Sequence, residues 1–372
     1  MQQYDVIIVG GGPAGSSLAW RLRDSGLGTI ILDKKDFPRD KTCAGWITPA
    51  IIDALGLDTG DYAKKHVFQP IEGFRVGHMS DRTVEVEYEQ APVSYGIRRC
   101  EFDHYLLQRC GAETRLQYSV NSIARDGGEW IINDKMKAPL LIGAGGNFCP
   151  VARELGAKLG KAETAVRAQE FEYEMNASQA AQCRVRGTTP ELYFCEDLKG
   201  YGWAFRKGNW LNVGLGREDN HGLPQHAREF CRFLKDQGRI PEDIPEKMNG
   251  HAYLLYQHAG RPLYADGALL IGDSAGLAYT QSGEGIRPAI ESALMAADVI
   301  VKAAGDYSTS RLAPYENHII ERFGQRDGSE PLLSRIVPLP VKKLIAHKLL
   351  ETNWFVREVV IGKWFLHQGE SA

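Results

Sequence analysis

Residues 4–33 constrain the fold of this chain more than any other stretch. Tyr4-Asp5-Val6-Ile7-Ile8-Val9 reads as a buried strand, and Gly10-Gly11-Gly12-Pro13-Ala14-Gly15 as a tight turn that opens a helix. Thr29-Ile30-Ile31-Leu32 reads as a second strand ending in Asp33. Gly10, Gly12 and Gly15 satisfy the spacing in which one glycine makes the turn, the next admits a pyrophosphate to the backbone, and the third lets helix and strand pack closely. The helix start at Ala14 offers free N–H groups and a positive dipole end to phosphate. Asp33 stands about 20 residues on, where a carboxylate takes the ribose hydroxyls of a dinucleotide. A strand, a helix and an acid in place around the triplet predict a dinucleotide-binding βαβ unit.

The remaining chain must say which dinucleotide. Its 372 residues suit two joined domains. A net charge of −3 and the lack of a dominant basic block argue against a nucleic-acid partner. No apolar run reaches the roughly 18 residues of a membrane span. Met1-Gln2-Gln3 runs straight into the first strand, leaving no room for a signal peptide. The seven cysteines are scattered without a C-x-x-C pair, so no metal site and no disulfide framework is expected, and a reducing cytoplasm is the plain setting.

A second glycine-rich element lies far downstream. Ala268-Leu269-Leu270-Ile271 reads as a buried strand, then come Gly272-Asp273-Ser274-Ala275-Gly276, Gly283-Glu284-Gly285-Ile286-Arg287-Pro288 and a helical stretch from Ala289 to about Lys302. Asp273 suits the ribityl hydroxyls of a flavin, and the helix start at Gly285-Ile286 suits the flavin's pyrimidine edge. This segment resembles the second FAD motif of the flavoproteins that include aromatic hydroxylases, flavin halogenases and geranylgeranyl reductases. In that resemblance Arg99, just before Phe102-Asp103, approaches the FAD. One piece departs from the hydroxylase pattern: after Pro139-Leu140-Leu141-Ile142, Gly145-Gly146 replaces the usual Asp-Gly pair, which puts NADPH binding by the usual route in doubt.

Two further segments sharpen the resemblance to the geranylgeranyl reductase family. Lys41-Thr42-Cys43-Ala44-Gly45 is similar to its K-x-C-x-G loop, which implies that Cys43 and Ala44 lie along the flavin. Gly200-Tyr201-Gly202-Trp203-Ala204-Phe205-Arg206-Lys207 is similar to its Y-x-W-x-F-P-K motif, with Arg206 for the proline. It reads as a hairpin strand with Tyr201, Trp203 and Phe205 on one face, an apolar wall for substrate. The resemblance implies an α/β fold: a Rossmann-type FAD-binding domain (1–60, 95–160 and 257–310), an inserted mixed β-sheet substrate domain (61–94 and 161–256) and a C-terminal helical region (311–372). It implies reduction of carbon–carbon double bonds in a polyprenyl or similar apolar substrate, with electrons from NADPH or a ferredoxin-like reductant protein. Cys43, Tyr201 and Glu284 are the candidate proton donors, in that order. The alternatives are an FAD-dependent monooxygenase acting on an aromatic or polycyclic substrate, less readily a halogenase, and a non-enzymatic flavin sensor or electron-transfer protein.

In the tail, apolar pairs recur every five residues: Leu344-Ile345, Leu349-Leu350, Trp354-Phe355, Val359-Val360 and Trp364-Phe365. Five residues advance an α-helix by about 140° beyond one turn, so these pairs form no single stripe. Lys342, Lys343, Lys348, Arg357 and Lys363 are interleaved. Two short helices broken near Gly362 are expected, covered by the protein body or, in the sharper reading, resting peripherally on a membrane through 331–367.

Overall fold

The computed structural model describes residues 1–79, 82–158, 163, 165–219, 221–326 and 339–368, with backbone only at 339, 340 and 342. The chain forms two compact units: Met1–Asp40, Cys100–Ala165 and Tyr253–Gly328 make the first, and Lys41–Arg99, Val166–Ala252 and Ser329–Ala372 the second.

The first unit is built on a six-stranded sheet. Its spatial order is Tyr264–Ala265, Ala268–Leu270, Leu140–Gly143, Val6–Val9, Thr29–Leu32 and Glu113–Arg115, parallel throughout except for the Tyr264–Ala265 edge. Val6-Ile7-Ile8-Val9 is buried along its whole length, as a β-branched run covered on both faces of a parallel sheet must be. Helix Pro13–Leu22 makes the crossover to Thr29–Leu32. Gly10 takes φ +119°, and a Cβ there would lie 2.3 Å from the Ala144 carbonyl oxygen, so only glycine serves at that turn. A Cβ on Gly15 would lie 1.9 Å from the Gly10 carbonyl oxygen, which is the close helix–strand approach expected of the third glycine. Helix Ile286–Ala303 packs against Pro13–Leu22 in the same unit. At their junction a Cβ on Gly272 would meet Ala14 and Ala289 at 3.2 and 3.1 Å. The two glycine elements, some 260 residues apart in sequence, therefore meet in one place.

The second unit is built on a seven-stranded sheet ordered Asn249–Tyr253, Val166–Glu174, Trp210–Arg217, Gly200–Lys207, Glu191–Phe194, Gly73–His78 and Thr83–Glu87. The Glu191–Phe194 and Gly73–His78 pair is parallel, and the pairs that Trp210–Arg217 makes with both its neighbours are antiparallel, so the sheet is mixed as expected. Helix Leu223–Asp236 covers one face. Its buried residues Leu223, Ala227, Phe230, Cys231 and Leu234 keep helical spacing and join Phe171, Leu211, Val213 and Leu215 in one apolar cluster. The opposite face carries Tyr201, Trp203 and Phe205, because side chains alternate along a strand.

The tail differs from the expectation in two ways. An α-helix spans Leu339–Leu350 and a π-helix spans Phe355–Phe365, so the break falls at 351–352 and Gly362 lies inside a continuous helix. The i→i+5 hydrogen bonding of a π-helix widens each turn and brings residues five apart nearer to one face than α geometry does. Val356, Val360, Ile361, Phe365 and Leu366 are accordingly the buried ones. Within the π-helix, then, the five-residue period does gather Val360 and Phe365 on one buried side, whereas Leu344, Ile345 and Leu349 of the α-helix stay exposed. Residues 331–338 of the expected membrane segment lie outside the described residues.

Candidate active site

In the first unit the cofactor residues assemble around two uncapped helix starts. Gly12 at the start of Pro13–Leu22 and Gly285 at the start of Ile286–Ala303 provide no side-chain cap, so the first-turn N–H groups are left for a ligand. Asp33 follows strand Thr29–Leu32 and is 9% exposed. Its Oδ2 accepts the Gly11 N–H at 2.8 Å and its Oδ1 the Lys35 N–H at 2.8 Å. Two amide donors fix the carboxylate beside the glycine turn and leave lone pairs for ribose hydroxyls. The Asp273 carboxylate comes within 3.0 Å of where a Gly285 Cβ would stand, so the acid and the second helix start share one spot, beside Ile286. This cradle fits FAD on the donor set alone: bare N–H groups for the pyrophosphate, one acid for each polyol, and glycines where a Cβ would fill the space.

Arg39 is a cofactor-side residue that sequence reasoning missed. Its Nη2 lies 3.3 Å from the position of a Gly12 Cβ, and its Nη1 pairs with buried Asp103 at 3.3 Å. A cation over a phosphate turn is chemically apt, yet a lone Arg in Asp36-Phe37-Pro38-Arg39 carries no motif to flag it.

Glu284 is half-buried in the first unit with its carboxylate oxygens shielded, and desolvation pushes its carboxyl up to about 8 against the pull of Arg287. Nearby, Arg287 pairs with Glu291 at 2.6 Å and Arg322 with Glu291 at 3.1 Å, while Arg322 donates to the Tyr279 hydroxyl at 2.6 Å. A carboxyl held there is neutral at pH 7 and able to donate a proton.

In the second unit the hairpin strands pair Tyr201 with Gly216, Trp203 with Gly214 and Phe205 with Asn212. Small residues opposite each ring give the rings room, and a Cβ on Gly214 would stand only 2.3 Å from Trp203 Cζ2. Phe205 is 1% exposed and meets Trp46 at 5.4 Å between ring centres; Tyr201 meets Phe365 of the π-helix at 5.4 Å. Trp46 also meets Phe365 at 5.5 Å, which closes an aromatic cluster. Phe205 is thus the packed end of the wall, and half-buried Tyr201 is its open end.

The same hairpin pins the Cys43 loop. Lys207, 1% exposed, donates from Nζ to the Ala44 and Ile97 carbonyls at 2.9 Å each and pairs with Glu172 at 2.6 Å. Asn212 donates from Nδ2 to the Cys43 carbonyl at 3.2 Å and accepts the Trp203 indole N–H at 2.7 Å. Glu170 accepts the Cys43 N–H at 2.6 Å. Gly45 takes φ +72°, with the Ile97 carbonyl oxygen 2.3 Å from where a Cβ would be, so the loop's glycine is obligatory. These anchors explain why residues from Lys41 onward belong to the second unit, whereas the sequence division placed 41–60 with the first. Arg99 opens helix Arg99–Gln108 and is buried, 8% exposed. Glu170, Glu172, Lys207 and Asn212 had no role in the sequence reading: alternating acids in Glu170-Phe171-Glu172 look like the wet face of an edge strand until the partner strand is known.

A Rossmann-type sheet, paired glycine elements and an acid at each end of the cradle define a nucleotide-binding flavoprotein. The chain belongs to the protein family described as FAD binding domain, which it matches over residues 3–319. It is 27% identical over 342 residues to a digeranylgeranylglycerophospholipid reductase of Methanocaldococcus jannaschii, covering 86% of this chain and 83% of the relative. It is 28% identical over 302 residues to a geranylgeranyl diphosphate reductase of Rhodobacter capsulatus, covering 76% and 71%. A geranylgeranyl bacteriochlorophyll reductase-like protein from Thermoplasma acidophilum shares the fold at a TM-score of 0.74 and 22% identity, over 99% of this chain and 92% of that one. The flavin-dependent brominase Bmp2 shares it at a TM-score of 0.71 and 17% identity, over 100% and 95%. The chain is an FAD-dependent oxidoreductase.

Proposed function

We propose that this protein reduces carbon–carbon double bonds of a polyprenyl or similar apolar lipid. The observation that carries the reading is the aromatic wall Tyr201–Trp203–Phe205, which shares Asn212 with a cysteine loop held by three side chains of the same sheet, Lys207, Asn212 and Glu170. The relatives that carry reductase names support the same substrate class. Gly12, Asp33, Asp273 and Gly285 would hold FAD, which when bound and reduced would supply the hydride for one alkene carbon. The chain's own residues do the rest. An unactivated alkene offers no charge to grip, so the wall must orient it and keep water away. The other carbon needs a proton, and Cys43, Tyr201 and Glu284 are the donors that sequence alone suggests. Electrons reach the flavin from NADPH or a ferredoxin-like protein.

Contact with a membrane belongs to the same reading. Val341, Leu344, Ile345 and Leu349 are exposed on helix Leu339–Leu350 at helical spacing, with Lys343 and Lys348 beside them, and Trp354 beyond the helix end is 67% exposed. An apolar stripe flanked by lysines suits an anionic lipid surface, where the substrate is dissolved.

The test is to reduce the bound flavin chemically under argon, add a digeranylgeranyl lipid and weigh the products. A gain of two hydrogens per double bond supports the reductase. Conversion that needs oxygen and adds one oxygen atom would show a monooxygenase instead.

A further inference from the structure

Glu170 stands mid-strand in Val166–Glu174, on the face opposite Phe171, and is 4% exposed. Its Oε1 accepts the Cys43 N–H at 2.6 Å. Its Oε2 is buried without a hydrogen-bond partner among the described residues. Glu170 lies opposite Gly214 in register, and Gly214 lies opposite Trp203. A Cβ on Gly214 would stand 2.7 Å from Glu170 Cβ and 2.3 Å from Trp203 Cζ2. The acid, the edge of the indole and the Cys43 main chain therefore converge where the sheet carries no side chain.

The neighbours of Glu170 leave it poorly compensated. Lys207 faces it but is already paired with Glu172 at 2.6 Å, and Arg98 lies 3.4 Å from Glu172. Asn212 faces it with an amide that serves Trp203 and the Cys43 carbonyl. Burial holds the Glu170 carboxyl up at about 7, against the opposing pull of the Cys43 amide, Lys207 and the Asn212 amide and with the help of nearby Glu172. A glutamine would accept the Cys43 N–H equally well. What a glutamic acid adds at this buried spot is a transferable proton on Oε2.

We propose that Glu170 is the catalytic acid of the double-bond reduction, delivering its Oε2 proton to the alkene carbon that does not receive the hydride. The inference rests on the reductase reading. With a hydride placed on one carbon, the π pair takes the Glu170 proton; one O–H bond breaks and one C–H bond forms. The lipid gains two electrons and the flavin loses two. The carboxylate left behind regains its proton from solvent before the next turnover. Cys43 then acts through its main chain: its amide fixes Oε1 and so aims Oε2.

The experiment compares E170Q and E170D with the unchanged protein, all with FAD bound. In E170Q the rate of lipid reduction should fall about 100-fold at unchanged flavin content. The unchanged protein should slow as pH rises through about 7, and E170Q should lose that limb. E170D, still an acid, should keep the limb at an intermediate rate. Infrared titration gives a readout independent of turnover: a carboxylic-acid C=O band that fades with a midpoint near 7 should be present in the unchanged protein and missing in E170Q. An E170Q variant that reduces lipid at the full rate with the same pH profile, or a band that survives in it, would overturn the proposal while leaving the reductase reading intact. No reduction by the unchanged protein would overturn both.

Discussion

A single missing side chain shapes the aromatic wall of the second unit. Gly214 leaves its place to the Trp203 ring, and a methyl group there would stand 2.3 Å from Cζ2. Gly214→Ala must push the indole aside, at a cost of about 1–3 kcal/mol. The expected outcome is a shifted tryptophan fluorescence and a lowered rate of lipid reduction at unchanged FAD content. Asp33 is a candidate cofactor contact of the first unit. Asp33→Ala removes the acid that two amides hold beside the glycine turn. Losing charge-assisted hydrogen bonds to a ribose, worth roughly 1.5–3 kcal/mol, should weaken FAD binding about tenfold to a hundredfold in a fluorescence titration of apoprotein. Asp33 was legible in the sequence because its role depends on a local, fixed spacing. Glu170 was not, because its role depends on which strand lies beside it and on a loop 127 positions away.

Elements show where periodicity reads well and where it misleads. The parallel strands around Val6–Val9 and the amphipathic helix Leu223–Asp236 follow their textual period directly into burial. The five-residue period of the tail was equally regular, but its meaning depended on helix type, and i→i+5 bonding is too rare to be assumed. Phe365 ties that π-helix to Trp46 and Tyr201, and it is 2% exposed. Phe365→Ala should cost about 3–5 kcal/mol, read as a lower urea midpoint. Helix Leu339–Leu350 behaves differently, since Val341, Leu344, Ile345 and Leu349 already face outward. Replacing Leu344 and Ile345 together by Glu should leave the urea midpoint unchanged and abolish sedimentation with anionic phospholipid vesicles. Retained sedimentation would remove the membrane contact from the account.

For the whole molecule, two buried acids set the dependence of stability on pH. The carboxyls of Glu170 and Glu284 are raised by burial to about 7 and about 8. A raised acid is neutral in the folded protein but ionised in the unfolded chain above about pH 4.5, so its contribution is complete below that pH and is lost as pH rises through its folded value. Stability should therefore fall between about pH 5 and pH 8, by on the order of 3 kcal/mol for each acid, and the E170Q and E284Q variants should each flatten part of that slope. Urea midpoints across this range check it. The FAD-binding fold and the adenosine end of the cradle were legible from glycine and acid spacing. The chemistry of the second unit was only half legible: Tyr201, Trp203 and Cys43 stand in motifs, while the buried polar residues that connect them come from strands with no motif of their own.

The reductase reading itself is tested most directly by rapid mixing. The chain, with its flavin reduced under argon, is mixed with a digeranylgeranyl lipid, and flavin absorbance is followed. The account predicts that the lipid alone re-oxidises the flavin, one flavin for each double bond saturated. A flavin that stays reduced until oxygen is admitted would contradict it.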